Sequence, residues 1–248
     1  VLLGSCVTVS NVSFTGDFRT SGTFDGTGTI IGLDDGIILT TGRVTIAEGP
    51  DDDDNAQGRN GDPGDADLTV IAGINTFDAT VLEFDFIPSN DTLRFNYIFG
   101  SEEYPEYSCA SYNDVFAFIL SGPGIQGGSQ NIARIPGTTT EVSINNIHPA
   151  DGPGCPAVNV QYYVANSFGE PVFDGFTQVF EAKSEVLPCE KYHIKLAIAD
   201  GGDSAYDSAV FLEANSFNAG NGAVISVVPP ISDLNVEDTY EGCANGTF

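Results

Sequence analysis

The sequence has no tryptophan and no methionine, only two histidines, and only eight Lys and Arg residues among 248. Against those eight stand 35 Asp and Glu, so the formal charge is −27. This shortage of bases argues against nucleic acid as a partner. Phosphate recognition needs clustered Lys and Arg, and here no two basic residues are adjacent. The same charge repels an anionic membrane surface. Long apolar runs are missing too: the longest, such as Ala223–Pro230, fall far short of the roughly 20 residues that cross a bilayer, so no direct membrane insertion is expected. No leader or lipid motif is visible, and a chain opening on Val1 is expected to be a mature or trimmed piece of something longer. Helical periodicity is nearly absent. Finally, no Cys-x-x-Cys pair and no zinc-type Cys/His spacing occurs.

What is present is a core. Hydrophobic residues make up 41% of the chain, with 17 Phe and 9 Tyr, which excludes intrinsic disorder for most of its length. Short alternating or aromatic-rich runs bounded by Gly, Pro, Asn and Asp predict strands at Val7–Phe14, Gly36–Thr40, Thr80–Phe86, Thr92–Phe99, Asp114–Leu120, Asn131–Ile135, Glu141–Ile144, Gln161–Val164, Thr177–Glu185, Tyr192–Ala199, Ser208–Ala214 and Val224–Val228. One short helix is predicted over Asp67–Ala72, capped by Asp65 and stopped by Gly73. So many short strands imply an all-β domain, a β-sandwich or jelly roll with long acidic loops, over residues 1–228. Pro229-Pro230-Ile231 reads as a linker, and 229–248 as linker and start of a following module. Residues 47–67, with Asp51 to Asp54 in a row, read as a long surface loop that only a tie such as a metal would order.

Five cysteines lie far apart, which suits disulfides in an oxidising, extracellular compartment. Cys109 and Cys155, both in turn-rich loops, are the preferred pair; Cys6 with Cys189 is the remaining option, leaving Cys243 in the tail.

Two loops carry the chemistry. Gly100-Ser101-Glu102-Glu103-Tyr104 follows a strand, and Asn113-Asp114 opens the next. The stretch Asp200-Gly201-Gly202-Asp203 through Asp207-Ser208 joins two further strands. Oxygen ligands around flexible glycines suit a hard cation. Calcium takes 6–8 such ligands and tolerates irregular loops better than magnesium does. Glu102, Glu103, Asp114, Asp200, Asp203 and Asp207 are therefore the expected Ca2+ ligands. The competing reading of either loop is an ordinary acidic turn in which Asp caps its own backbone. The EF-hand spacing is not met.

Catalysis is not expected. His193 sits in an alternating strand, His148 precedes Pro149 in a loop, and neither a GxSxG nor an HExxH motif gives them partners. Glu102 and Glu103, as strand neighbours, should face opposite ways, which disfavours them as a hydrolytic pair, though Glu103 with Asp114 or Asp207 keeps a glycan hydrolase in view. Gly122–Gly128 lacks the lysine of a phosphate loop and reads as a hairpin connection. Tyr104, Tyr107 and Tyr112, if exposed, offer stacking platforms for a glycan or protein ligand.

Residues 84–124 (FDFIPSNDTLRFNYIFGSEEYPEYSCASYNDVFAFILSGPG, with Ile119 and Leu120 closing its last strand) resemble the choice-of-anchor L domain family. The resemblance continues in Gly32-Leu33-Asp34-Asp35-Gly36 through Gly42, in Tyr162-Tyr163-Val164 with Asp174-Gly175-Phe176-Thr177, and from Cys189 to Glu213. It implies export, often by type IX secretion, in large secreted or surface proteins of gliding and other Bacteroidetes-type bacteria, with further domains in the same chain. Glu103, Cys109 and Asp114 also follow the order seen in calcium-binding CUB domains, a looser likeness. The expected role is thus a non-catalytic, calcium-binding, extracellular adhesin domain for surface attachment. The alternatives are a carbohydrate-binding module or hydrolase, and a structural spacer of a surface filament.

Overall fold

Two antiparallel sheets face one another in the computed structural model, which describes residues 2–4, 7–49, 58–166, 169 and 171–219. The strands are β1 (Thr8–Thr15), β2 (Ser21–Asp25), β3 (Asp35–Thr40), β4 (Thr76–Ile87), β5 (Thr92–Ser101), β6 (Val115–Ser121), β7 (Ser129–Asn131), β8 (Tyr163–Ala165), β9 (Gly175–Thr177), β10 (Phe180–Glu185), β11 (Tyr192–Gly201) and β12 (Ser208–Glu213). One sheet has the order β1-β4-β11-β6-β7; the other runs β2-β3-β12-β5-β9-β8, with β10 also paired to β5. This is the predicted β-sandwich.

Alternation along the strands builds the core. Phe84 and Phe86 of β4, Phe116 and Phe118 of β6, and Phe95, Tyr97 and Phe99 of β5 all turn between the sheets and are buried. Their rings meet both edge-on and stacked: Tyr97 and Phe118 are 4.9 Å apart at 89°, the arrangement that aligns a ring's positive edge with its neighbour's negative face, whereas Phe99 and Phe116 stack at 25° with centroids 5.3 Å apart. Phe217, beyond the last strand, completes this layer, 5.2 Å from Phe84 and 5.3 Å from both Phe86 and Phe95.

Several boundaries differ from expectation. The sequence reading omits β2, because Ser21–Asp25 alternates too briefly to stand out; it is held by pairing with β3. The single run at 177–185 is β9 and β10, divided at Gln178-Val179. Glu141–Ile144 forms isolated bridges leading into a 3-10 turn at Ile144–Asn146, not a strand. Of the run 131–135 only Asn131 lies in a strand, β7 (Ser129–Asn131), while Arg134 forms an isolated bridge with Glu141, and Gly122–Gly128 makes the expected hairpin from β6. The expected strand Val224–Val228 and the 229–248 segment lie outside the described residues.

Helix α1 (Ala66–Ala72) covers the outer face of the five-stranded sheet, with Leu68 buried among Val81, Ala117 and Ala197. The Asp65 carboxylate accepts from the Asp67 and Leu68 N–H groups, at 3.0 and 3.2 Å. Gly73, at φ 73°, ends the helix in the left-handed region. Lys195 of β11 reaches Asp65 and Asp67 at 2.6 and 2.7 Å, clamping the first turn to the sheet. Asp65→Ala removes the cap and one of the two Lys195 contacts, so it is expected to cost about 1–2 kcal/mol, read as a lower urea midpoint at unchanged slope.

Three of the connections that cross from one sheet to the other at one end of the sandwich carry acidic loops. They are β3 to β4, β5 to β6, and β11 to β12, as the facing ends Thr40, Thr76, Ser101, Val115, Gly201 and Ser208 show in the registers; the short β1 to β2 connection crosses at the same end.

Candidate metal site

Strand β5 ends at Ser101, and the chain turns immediately. Strand alternation therefore does not govern Glu102 and Glu103. Both residues are buried, and Glu103 is the one that feels the charges of Asp114 and Asp203. Asp114 closes the same crossing, just before β6, and is fully buried; its carboxylate accepts from the Gly201 N–H at 2.9 Å and the Ser208 hydroxyl at 2.6 Å. Asp200, at the end of β11, and Asp207, at the end of the third crossing, are buried beside it. Asp203 is half-buried and accepts from the Ala205 N–H of its own loop, as in the acidic-turn reading. It still lies close enough to raise the proton affinity of both Glu103 and Asp114.

Asp78 joins them and was not anticipated. It lies where the β4–β11 register slips between Ile198 and Asp200, with φ 46°, in a bulge that turns its carboxylate toward the crossings. That carboxylate accepts from the Asn60 N–H at 3.1 Å and the Asp62 N–H at 2.6 Å, fastening residues 58–65 of the acidic loop to the rim. Asp51 to Asp54 lie outside the described residues. An acid close to the start of the strand-forming run Thr76–Ile87, beside the apolar Phe77 and Ala79, was the available signal.

Gly42 also shapes the site. A Cβ placed there would fall 1.6 Å from Asp207 Oδ2, so any larger residue would displace that carboxylate. The Gly58 N–H donates to the same carboxylate.

Burial dominates the electrostatics. It pushes the Asp207 carboxyl up to about 7 and that of Asp114 to about 8, with Asp207 and Asp203 adding to the shift at Asp114. Glu103 rises further, through burial and then the Asp114 charge. Asp200 rises well above the carboxylate range through burial, then Asp114 and Asp207; the Thr41 hydroxyl offsets only part of this. Both Asp200 oxygens and Glu103 Oε2 nevertheless lack a well-formed hydrogen bond. None of the ion pairs among the described residues involves these carboxylates. Buried carboxylates of this kind must be protonated or meet a cation, because an uncompensated buried charge costs several kcal/mol.

The like charges also stand apart. Among the described residues no three carboxylates bring one oxygen each within 4.8 Å of one another. A shared cation would have to draw them inward or recruit neutral oxygens nearby, such as Ser101, Ser208 and Thr41. The group that does meet that spacing, Cys109, His148 and Cys155, has no thiolate to offer, since the two cysteines form a disulfide.

That disulfide is the expected pair. Cys189 is also disulfide-bonded; its expected partner, Cys6, lies outside the described residues, as does Cys243. Tyr104 is fully buried, with its ring 5.1 Å from Tyr163, and is no stacking platform; the polar neighbours in its sequence concealed a core position. Tyr107 and Tyr112 are half-buried and form an aromatic group with Tyr206, whose hydroxyl lies 3.1 Å from that of Tyr107. His193 is held on the outer sheet face by Asp85 and Glu83, at 2.9 and 3.4 Å. His148 is buried, with Nδ1 2.7 Å from the Pro149 carbonyl.

Fold and rim together define an all-β domain with an acidic, loop-built end. The chain belongs to the Choice-of-anchor L domain family, whose pattern matches residues 1–218. The family is one of surface-associated domains, and no helix among the described residues is long and apolar enough to cross a membrane. No curated protein matches the sequence. Among solved structures, the carbohydrate-binding module TmCBM61 in complex with β-1,4-galactotriose aligns over 82% of this chain and 85% of its own, at 8% identity and a TM-score of 0.33. A likeness that loose carries no argument about the ligand of this chain.

Proposed function

We propose that this is a non-catalytic, extracellular adhesin-type domain whose rim carboxylates hold calcium, and that the cation fixes the three crossing loops for attachment to a surface glycan or protein. The observation that supports this reading most is the unpaired burial of Asp200 and Glu103 beside Asp114 and Asp207. Calcium suits them better than magnesium, because irregular loops supply several carboxylates and hydroxyls rather than a tight octahedron. Magnesium keeps most of its water, and this site is largely closed to water.

Tyrosine supplies the test. With no tryptophan present, terbium luminescence excited through tyrosine reports on a lanthanide near Tyr107, Tyr112 and Tyr206. Terbium emission is expected to rise on binding and to be displaced by calcium, with magnesium far weaker. Asp200→Asn should abolish the signal. In EDTA the same variant should be more stable than the parent, because it removes a buried carboxyl that, with no cation to meet, must take up a proton to stay folded. In saturating calcium it should be less stable. A variant that melts on the same side of the parent in both conditions contradicts the proposal.

A further inference from the structure

We infer that the outer face of the seven-stranded sheet carries a second binding site, for a small cationic amphiphile. A cavity of about 510 Å³ opens there, between β2, β3 and β12 and the chain that follows β3. That volume falls in the range of sites that enclose small organic ligands.

The floor is apolar for a reason of register. Ile38 and Phe211 are paired across β3 and β12 and point to the same outer face, where both are buried. Phe24 stands against Phe211, with ring centroids 5.2 Å apart, and forms a half-buried wall. The mouth differs. Asp25 ends β2, Glu48 lies on the loop after β3, and both are exposed. Among the described residues no Lys or Arg lines the cavity.

An apolar floor selects an alkyl or aryl body, and a mouth with two carboxylates and no base selects against an anion. A ligand with an ammonium or guanidinium head on such a body meets both conditions. The inference does not rest on the calcium reading, since the cavity lies on a sheet face and the carboxylate rim at the end of the sandwich.

Three probes with one body and different heads test it: phenethylamine, 2-phenylethanol and phenylacetate. They would be titrated into 15N-labelled protein at fixed calcium and low salt. Phenethylamine is expected to shift the amide resonances of Gly26, Thr45 and Glu48, and to bind about tenfold tighter than the alcohol, as one favourable charge contact at the mouth provides. Phenylacetate should leave those resonances unmoved. High salt should narrow the preference. The exposed pair Asp25→Asn with Glu48→Gln should remove the preference while leaving the spectrum otherwise folded. Equal affinity for amine and alcohol, or a failure of all three to move these amides, overturns the inference.

Discussion

Stripped of divalent cations by EDTA at pH 8, the domain is expected to melt roughly 5–10 °C below its calcium-saturated form. Free calcium at about a hundred times Kd adds about 2.7 kcal/mol of stability to a single-site protein. Each kcal/mol moves the melting point of a domain this size by roughly 2–4 °C. The difference should also depend on pH, and its sign follows from the rim. Burial lifts Asp207 to about 7 and Asp114 to about 8, whereas an unfolded Asp titrates near ~3.9. The folded chain therefore holds protons that the unfolded chain has already lost. The contribution of these groups is fully present below pH ~4 and is lost as pH rises through about 7 to 8. Calcium keeps the same carboxylates ionised and neutralised at once, which removes that slope. Melts in EDTA and in calcium should thus converge near pH 5 and separate steadily toward pH 9. Coincident melting curves across the whole range would sink the calcium reading.

Replacing the Cys109–Cys155 disulfide by serines at both positions is expected to destabilise the domain by about 4 kcal/mol. The bridge spans a sequence separation of 46 residues, and closing a loop that long in the unfolded chain restricts it by about that amount. The effect should not stop at stability. Cys109 lies in the β5–β6 crossing, between Glu103 and Asp114, and Cys155 ties that crossing to the loop after the 3-10 turn at Ile144–Asn146. Freed from it, the crossing has more conformations to lose when a cation binds. Terbium affinity should therefore fall together with the urea midpoint. A variant that loses under about 1 kcal/mol, or that binds terbium as the parent does, would show that the bridge orders neither the fold nor the rim.

Local pattern carried much of this into the sequence. The alternating Phe95-Asn96-Tyr97-Ile98-Phe99 and Phe116-Ala117-Phe118 named two central strands, because alternation is what a half-buried strand requires. Asp65 and Gly73 bracketed α1, because capping is a matter of a few neighbouring backbone groups. The rim acids were legible as residue types beside strand ends. Their burial was not, since it depends on the opposite sheet. Asp78 was missed for the same reason: only the slipped β4–β11 register turns it toward Asp200. Tyr104 was misread as a surface ring because its sequence neighbours are polar, while its spatial neighbours are Phe99 and Tyr163.

By itself, then, the sequence determined an all-β, strongly acidic domain poor in bases, with two loops able to offer oxygen ligands and one pair of cysteines suited to bridging. Those properties are local or additive. Charge sums along a chain, and strand periodicity is written in neighbouring residues. Only the tertiary structure decided that three separate crossings end at one place, that Glu102 and Glu103 are both buried, and that Asp200 has no cation beside it among the described ion pairs. The shortage of bases bears on more than the exclusion of nucleic acid. With eight Lys and Arg in the whole chain, none pairs with these buried carboxylates among the described residues. Strand pairing over long sequence distances converts an overall charge into a particular set of uncompensated oxygens.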